Sequence, residues 1–204
     1  MPVLTSILVA DGSSDRALLP LITRALGLIA PNVQFAEIAN PGVSNGSLSE
    51  RVSECIADYP CDLLFVHRDS ESQEPRLRFD EIAAAVAGLS AKTIAIVPVK
   101  MSEAWLVTDE GAIRRAVGNP NGREELNLPP LNRVESIDAK KILDAAIVSA
   151  AFNNGTRRRQ KFRPERYRFR VAEELPDIAR LRLVSSYAEF ETRLRQTLAQ
   201  LIGS

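Results

Sequence analysis

The chain has 204 residues, 45% of them apolar and 25% charged, which excludes wholesale disorder and leaves enough material for a full hydrophobic core. Formal net charge is zero, yet eight basic residues and one acid fall between Thr156 and Arg170, so a local +7 faces −7 elsewhere, an asymmetry that points to a polyanionic partner. One histidine (His67) and two cysteines (Cys55 and Cys61) exclude a Cys/His zinc site within one chain and any histidine-dependent triad without His67.

In chain order, residues 3–10 read as a strand and 14–26 as a helix, with Leu18, Leu19, Ile22 and Leu26 at helical spacing and Ser13 or Ser14 as N-cap. Residues 33–38 alternate as a second strand, Asn40 to Gly46 form a loop, and 47–58 a second helix with Leu48, Val52, Cys55 and Ile56 inward. The apolar run 63–67 is a third strand; a polar stretch, a helix over 79–89 and a fourth strand over 93–99 follow, with a helical piece around Glu103 and Trp105. Strands separated by helices predict parallel, right-handed βαβ units and an α/β fold. Past Gly118 a Pro/Asn/Gly-rich loop leads to helices over 139–151, 172–183 and 187–202. The expected organisation is an α/β core over 1–118 with a helical extension over 119–204 packed on it, one compact domain overall. No signal-peptide pattern or bilayer-length apolar run is present, so a reducing cytoplasm is the expected location.

Two acidic motifs follow apolar strands: Asp11-Gly12 after the first, and Asp69-x-Glu71 after the third. Parallel sheets bind ligands beyond the carboxyl ends of their strands, so Asp11, Asp69 and Glu71 are expected along one edge. Oxygen ligands of this kind select Mg²⁺ or Mn²⁺, and such an ion can clamp both oxygens of a phosphodiester displacement. The structural alternative is that Asp11 caps a helix while Asp69 and Glu71 sit in solvent. Past the fourth strand, on the same edge, Glu103 is a candidate ligand or general base and Lys100 a candidate phosphate contact. The structural alternative there is a helix capped by Ser102, with Glu103 in its first turn and Trp105 in the core.

The pattern strand-Asp11-Gly12-x-x-Asp15-helix, then strand-x-x-Asp69-x-Glu71, resembles the Toprim arrangement of primases, topoisomerases and overcoming-lysogeny-defect-type nucleases. Further segments, Glu103-Ala104-Trp105-Leu106, Ala139-Lys140-Lys141-x-Leu143, and Ala179-Arg180 through Ser185-Ser186-Tyr187-x-x-Phe190, resemble the DUF4276 group of Toprim-like bacterial proteins. Toprim proteins usually carry Glu in the first motif and Asp-x-Asp in the second; here Asp and Asp-x-Glu keep a carboxylate in each place but change its reach. The resemblance implies a Toprim-like parallel sheet with flanking helices and a C-terminal helical cap. It also implies a Mg²⁺- (or Mn²⁺-) dependent nuclease or related phosphoryl-transfer enzyme, in phage defence or DNA maintenance. In that reading Asp11, Asp69 and Glu71 hold metal, Glu103 assists, and Lys100 with Arg68 stabilises phosphate charge.

Phe162, Tyr167 and Phe169 interleave with the arginines of the basic run, a composition suited to phosphate neutralisation and base stacking. Arg157, Arg158, Arg159, Lys161 and Arg163, with Arg68, are the expected nucleic-acid contacts, DNA ahead of RNA; a solvated loop, or a helix against the acidic core, is the alternative. A second functional reading keeps the fold without catalysis, as a nucleic-acid-binding or ATPase-associated subunit.

Overall fold

A computed structural model describes residues 3–41, 45–152, 161–176 and 178–202. The chain is α/β with two small parallel sheets. Strands β1 (Val3–Leu4) and β2 (Ser6–Val9) are successive stretches of one extended run; β1 pairs with β3 (Gln34–Phe35), while β2, β4 (Leu63–His67) and β5 (Lys92–Ile96) form the second sheet in that order. A parallel bridge between Ile7 and Ala39 continues the β3 side onto β2, with Leu8 N–H donating to the Ala39 carbonyl at 2.8 Å. Every residue of β2 and β4 is buried, including the polar Ser6 and His67 at their ends, as the apolar runs they flank favour.

Alternating side chains divide the core between the faces of the sheet. Leu8, Leu63, Phe65, Ile94 and Ile96 face one cluster, together with α1 (Leu18–Ile29), α4 (Glu103–Leu106), α5 (Glu110–Ala116), α6 (Ala139–Ala151), α7 (Arg168–Glu174) and α8 (Ser185–Ile202). Ile7, Val9, Leu64 and Val66 face the other, with α2 (Leu48–Asp58) and α3 (Pro75–Ala85). The first cluster runs from Leu8 to Leu198, so the helices after residue 118 share their core with the strands before it.

Local chemistry sets the boundaries. Pro20 has no N–H, so the chain leaves β2 through a 3-10 turn, Ser13–Ala17, and the α-helix begins at Leu18, where the proline falls in the unbonded first turn. Ser47 and Glu50 form a reciprocal cap on α2, and the preceding Gly46 has a φ of 123°; a Cβ there would lie 2.8 Å from Glu50 Oε2. Helix α3 starts at Pro75, four residues before the expected position, because a proline is pre-set for the first helical position. The expected helix over 172–183 is not formed. Arg168 to Glu174 is helical instead, Pro176 follows its end, and among the described residues up to Val184 a 3-10 turn, Leu181–Leu183, comes next. Glu135 then caps α8 from outside, accepting from the Ser185 and Ser186 N–H groups at 3.2 and 2.9 Å.

Trp105 is fully buried, donates its indole N–H to Ser186 Oγ at 2.8 Å, and meets Tyr187 edge-on with ring centroids 5.0 Å apart. It thereby ties the segment after β5 to α8. Trp105→Ala should cost about 3–5 kcal/mol of unfolding free energy, the usual range for removing a buried large aromatic. Trp105→Phe should cost less, about 1–3 kcal/mol, largely through the stranded Ser186 hydroxyl. Urea denaturation checks both; no loss in Trp105→Phe would mean that the hydrogen bond contributes nothing, and equal losses that the ring packing Phe retains contributes nothing.

Candidate functional site

Beyond the carboxyl ends of β4 and β5 the chain continues as two loops stitched together by backbone bonds. Ser70 N–H donates to the Pro98 carbonyl at 3.1 Å, Glu71 N–H to the Lys100 carbonyl at 2.9 Å, and Lys100 N–H to Ser70 Oγ at 2.9 Å. Glu71 and Lys100 both sit in the left-handed region, with φ of 54° and 63°. For residues with a side chain that conformation costs on the order of 1–3 kcal/mol each, and such strain concentrates at ligand sites. Beside these loops opens a cleft of about 370 Å³ bordered by Asp15, Asp69, Glu71, Lys100, Glu103 and Lys140.

Two buried side chains, His67 and Arg168, organise the acids around it. His67, the last residue of β4, is fully buried, with Nε2 3.1 Å from Asp69 Oδ1 and Nδ1 3.3 Å from Asp15 Oδ2. Asp15 also accepts from Gly12 N–H at 2.8 Å, which fixes it in the turn after β2. Arg168 of α7 donates to Glu103 Oε1 at 2.7 Å and from Nη2 to both Asp144 oxygens at 2.8 Å. Burial pushes the Glu103 carboxyl above its usual range, and Arg168 only partly offsets this.

Asp69, Glu71, Glu103 and Lys100 therefore share one cleft; the Lys100 ammonium also donates to the Ser136 carbonyl. Asp11 lies elsewhere along the edge. Its Oδ1 accepts from Arg51 at 2.8 Å and Arg68 at 2.7 Å, and Arg68 also reaches Glu81 at 3.2 Å, which pairs with Arg78 at 2.8 Å. This chain of charges ties α2 and α3 to the sheet edge and engages both Asp11 and Arg68. Arg157, Arg158 and Arg159 lie outside the described residues; Lys161 and Arg163 are exposed. Phe162 stacks on Tyr167 and meets Phe152 edge-on, with centroids 5.0 and 4.9 Å apart, so these rings cover one another.

Asp15, His67, Asp144 and Arg168 are site residues that sequence reasoning did not assign. Asp15 carried a signal, an acid at the third position of a helical turn that can reach back to the first N–H. Arg168 and Asp144 carried none, since a basic run reads the same whether or not one member is buried.

Among the described residues, no three His, Cys, Asp or Glu side chains are grouped to cage a metal by themselves. Mg²⁺ commonly takes one or two carboxylates and fills its shell with water and phosphate oxygens. Asp69, whose Oδ2 is not needed by His67, and Glu71, which has no ion-pair partner among the described residues, meet that smaller requirement.

The His67 clamp makes stability depend on pH. Burial alone would lower the imidazole pKa, but Asp15 and Asp69 outweigh burial and raise it from 6.5 to about 10. Burial would raise Asp15, yet the bond and charge of His67 hold its carboxyl below the ordinary range. A raised histidine pKa contributes stability in full below the unfolded value of 6.5, and the contribution is lost as pH rises through about 10. The depressed Asp15 contributes above the usual carboxylate range and is lost in acid. The urea midpoint should therefore fall between about pH 6.5 and pH 10, and His67→Gln should remove that slope. A wild-type midpoint that stays level, or falls equally in the variant, would show that His67 is not held as an imidazolium. Compared with family models, curated proteins and solved structures, the chain matches none.

Proposed function

We propose that the chain is a Toprim-like, Mg²⁺- or Mn²⁺-dependent phosphoryl-transfer enzyme acting on nucleic acid, with the cleft between the β4 and β5 loops as its active site. The observation that carries the reading is the convergence of Asp15, Asp69, Glu71 and Glu103 with Lys100 and Lys140 on one cleft. This cleft lies at the strand ends where α/β sheets bind ligands, against backbone held in a strained conformation.

Asp69 and Glu71 are the residues that would hold the ion. When bound, it would polarise a phosphoryl oxygen and acidify a bound water. Lys100 and Lys140 place positive charge where a phosphate would enter, and Arg168 and His67 position the acids. Glu103, with its raised pKa, is suited to move a proton near neutrality. The Toprim-like resemblance supports the same chemistry, with Asp11 relieved of the metal role by its two arginines.

A second reading, a nucleic-acid-binding or ATPase-associated subunit without catalysis, is favoured by one observation. The first-motif acid, Asp11, is already bonded to Arg51 and Arg68.

Titration with Mn²⁺ followed by electron paramagnetic resonance separates the two. Wild type should bind the ion, and Asp69→Asn with Glu71→Gln should weaken it by more than about tenfold, at least the loss seen for outer-shell changes. Asp11→Asn should leave ion affinity within about threefold, because its charge is balanced locally and solvent screens the remainder. Loss of binding in Asp11→Asn equal to that in the double variant would return the site to the sequence-based assignment. No Mn²⁺ binding by wild type, with nucleic acid still bound, would leave the second reading.

A further inference from the structure

Helix α7 packs against α1 and the 3-10 turn after β2, and the seam between them holds two further cavities. One, of about 280 Å³, is lined by Ser14, Arg16, Arg166 and Phe169, with Glu165; the other, of about 490 Å³, by Arg16, Arg24, Glu37 and Phe169, with Glu173. Ser14 also borders the carboxylate cleft, so the three spaces succeed one another along shared side chains. Arg168 is buried against Glu103 and Asp144, and the next residue of α7, Phe169, about a quarter turn away, is 37% exposed. Arg16 and Arg166 are exposed and, among the described residues, have no carboxylate within ion-pair distance.

We infer that this seam is a track for single-stranded nucleic acid leading to the cleft, with Phe169 as a base-stacking platform and Arg16 and Arg166 as phosphate contacts. The inference rests on the proposed function for the identity of the cleft, and adds the strandedness of the substrate. An aromatic face can stack only on an unpaired base, because the faces of bases in a duplex are already covered. Guanidinium groups that line the same cavity as such a ring, without a carboxylate partner among the described residues, supply the backbone attraction that accompanies stacking in single-strand grooves. In the larger cavity the side chains of Arg24 and Glu37 line the wall, a donor and an acceptor of the kind a base edge pairs with. Phe162 and Tyr167 are covered by one another, which leaves Phe169 as the accessible ring of the basic segment among the described residues.

Fluorescence anisotropy with a labelled short oligothymidylate and a duplex of equal length, both in EDTA, tests the track without involving a metal. The single strand should bind more tightly than the duplex. Phe169→Ala should weaken it by roughly five- to 150-fold, the range for one lost base–aromatic stack, while Phe169→Trp should retain binding. Arg16→Ala with Arg166→Ala should flatten the salt slope by about 1.4, at about 0.7 per phosphate for single strands. Preference for the duplex, or unchanged binding in Phe169→Ala with an unchanged circular dichroism spectrum, would overturn the inference. The outcome is independent of the Mn²⁺ titration. Single-strand binding as described without Mn²⁺ binding would remove the metal-dependent reading and keep the track; Mn²⁺ binding with Phe169 unimportant would remove the track alone.

Discussion

The imidazole of His67 lies between two carboxylates that come from different parts of the chain, Asp15 in the turn after β2 and Asp69 in the loop after β4. A charge buried this completely is tolerated only when opposite charge and hydrogen bonds surround it. The arrangement therefore fixes both loops relative to the sheet, and the cleft between them takes its shape from that constraint. Removing one member of a buried ion pair typically costs about 3–5 kcal/mol, so His67 cannot be exchanged without disturbing the floor of the site. The same interaction leaves Asp69 one oxygen to offer to a ligand.

A second buried cation plays the matching part on the other wall. Arg168 joins Glu103 of α4 to Asp144 of α6, so the helices after residue 118 complete the cleft instead of merely covering the sheet. It holds Glu103 at the cleft, and its neighbour Phe169 stands exposed beside it on the same first turn of α7. Among the basic residues of the segment that are described, Arg168 is the buried one.

Much of the architecture was legible because it follows from local rules. The apolar runs 7–10 and 63–66 read as buried parallel strands, and their alternate residues do divide between two clusters. The helix expected from residue 47 begins at Leu48, with Ser47 and Glu50 as its cap. Prolines moved three helix boundaries: Pro20 delayed α1, Pro75 advanced α3, and Pro176 cut the helix expected over 172–183; the strand expected over 33–38 forms only at Gln34–Phe35, and α8 begins two residues early, at Ser185. The region of the cleft was legible too, since Asp69, Glu71, Lys100 and Glu103 all follow core strands and border it.

The sequence alone determined the α/β class, the parallel strands and the edge at which acidic and basic groups collect, because hydrophobic periodicity and backbone chemistry act between near neighbours. Only the tertiary structure decided which charges meet. Asp11 turned toward Arg51 and Arg68, His67 drew Asp15 and Asp69 together, and Arg168 reached back across the fold to Glu103. Ion pairing is set by distances in space between groups up to 65 positions apart, and no spacing rule along the chain encodes such a distance.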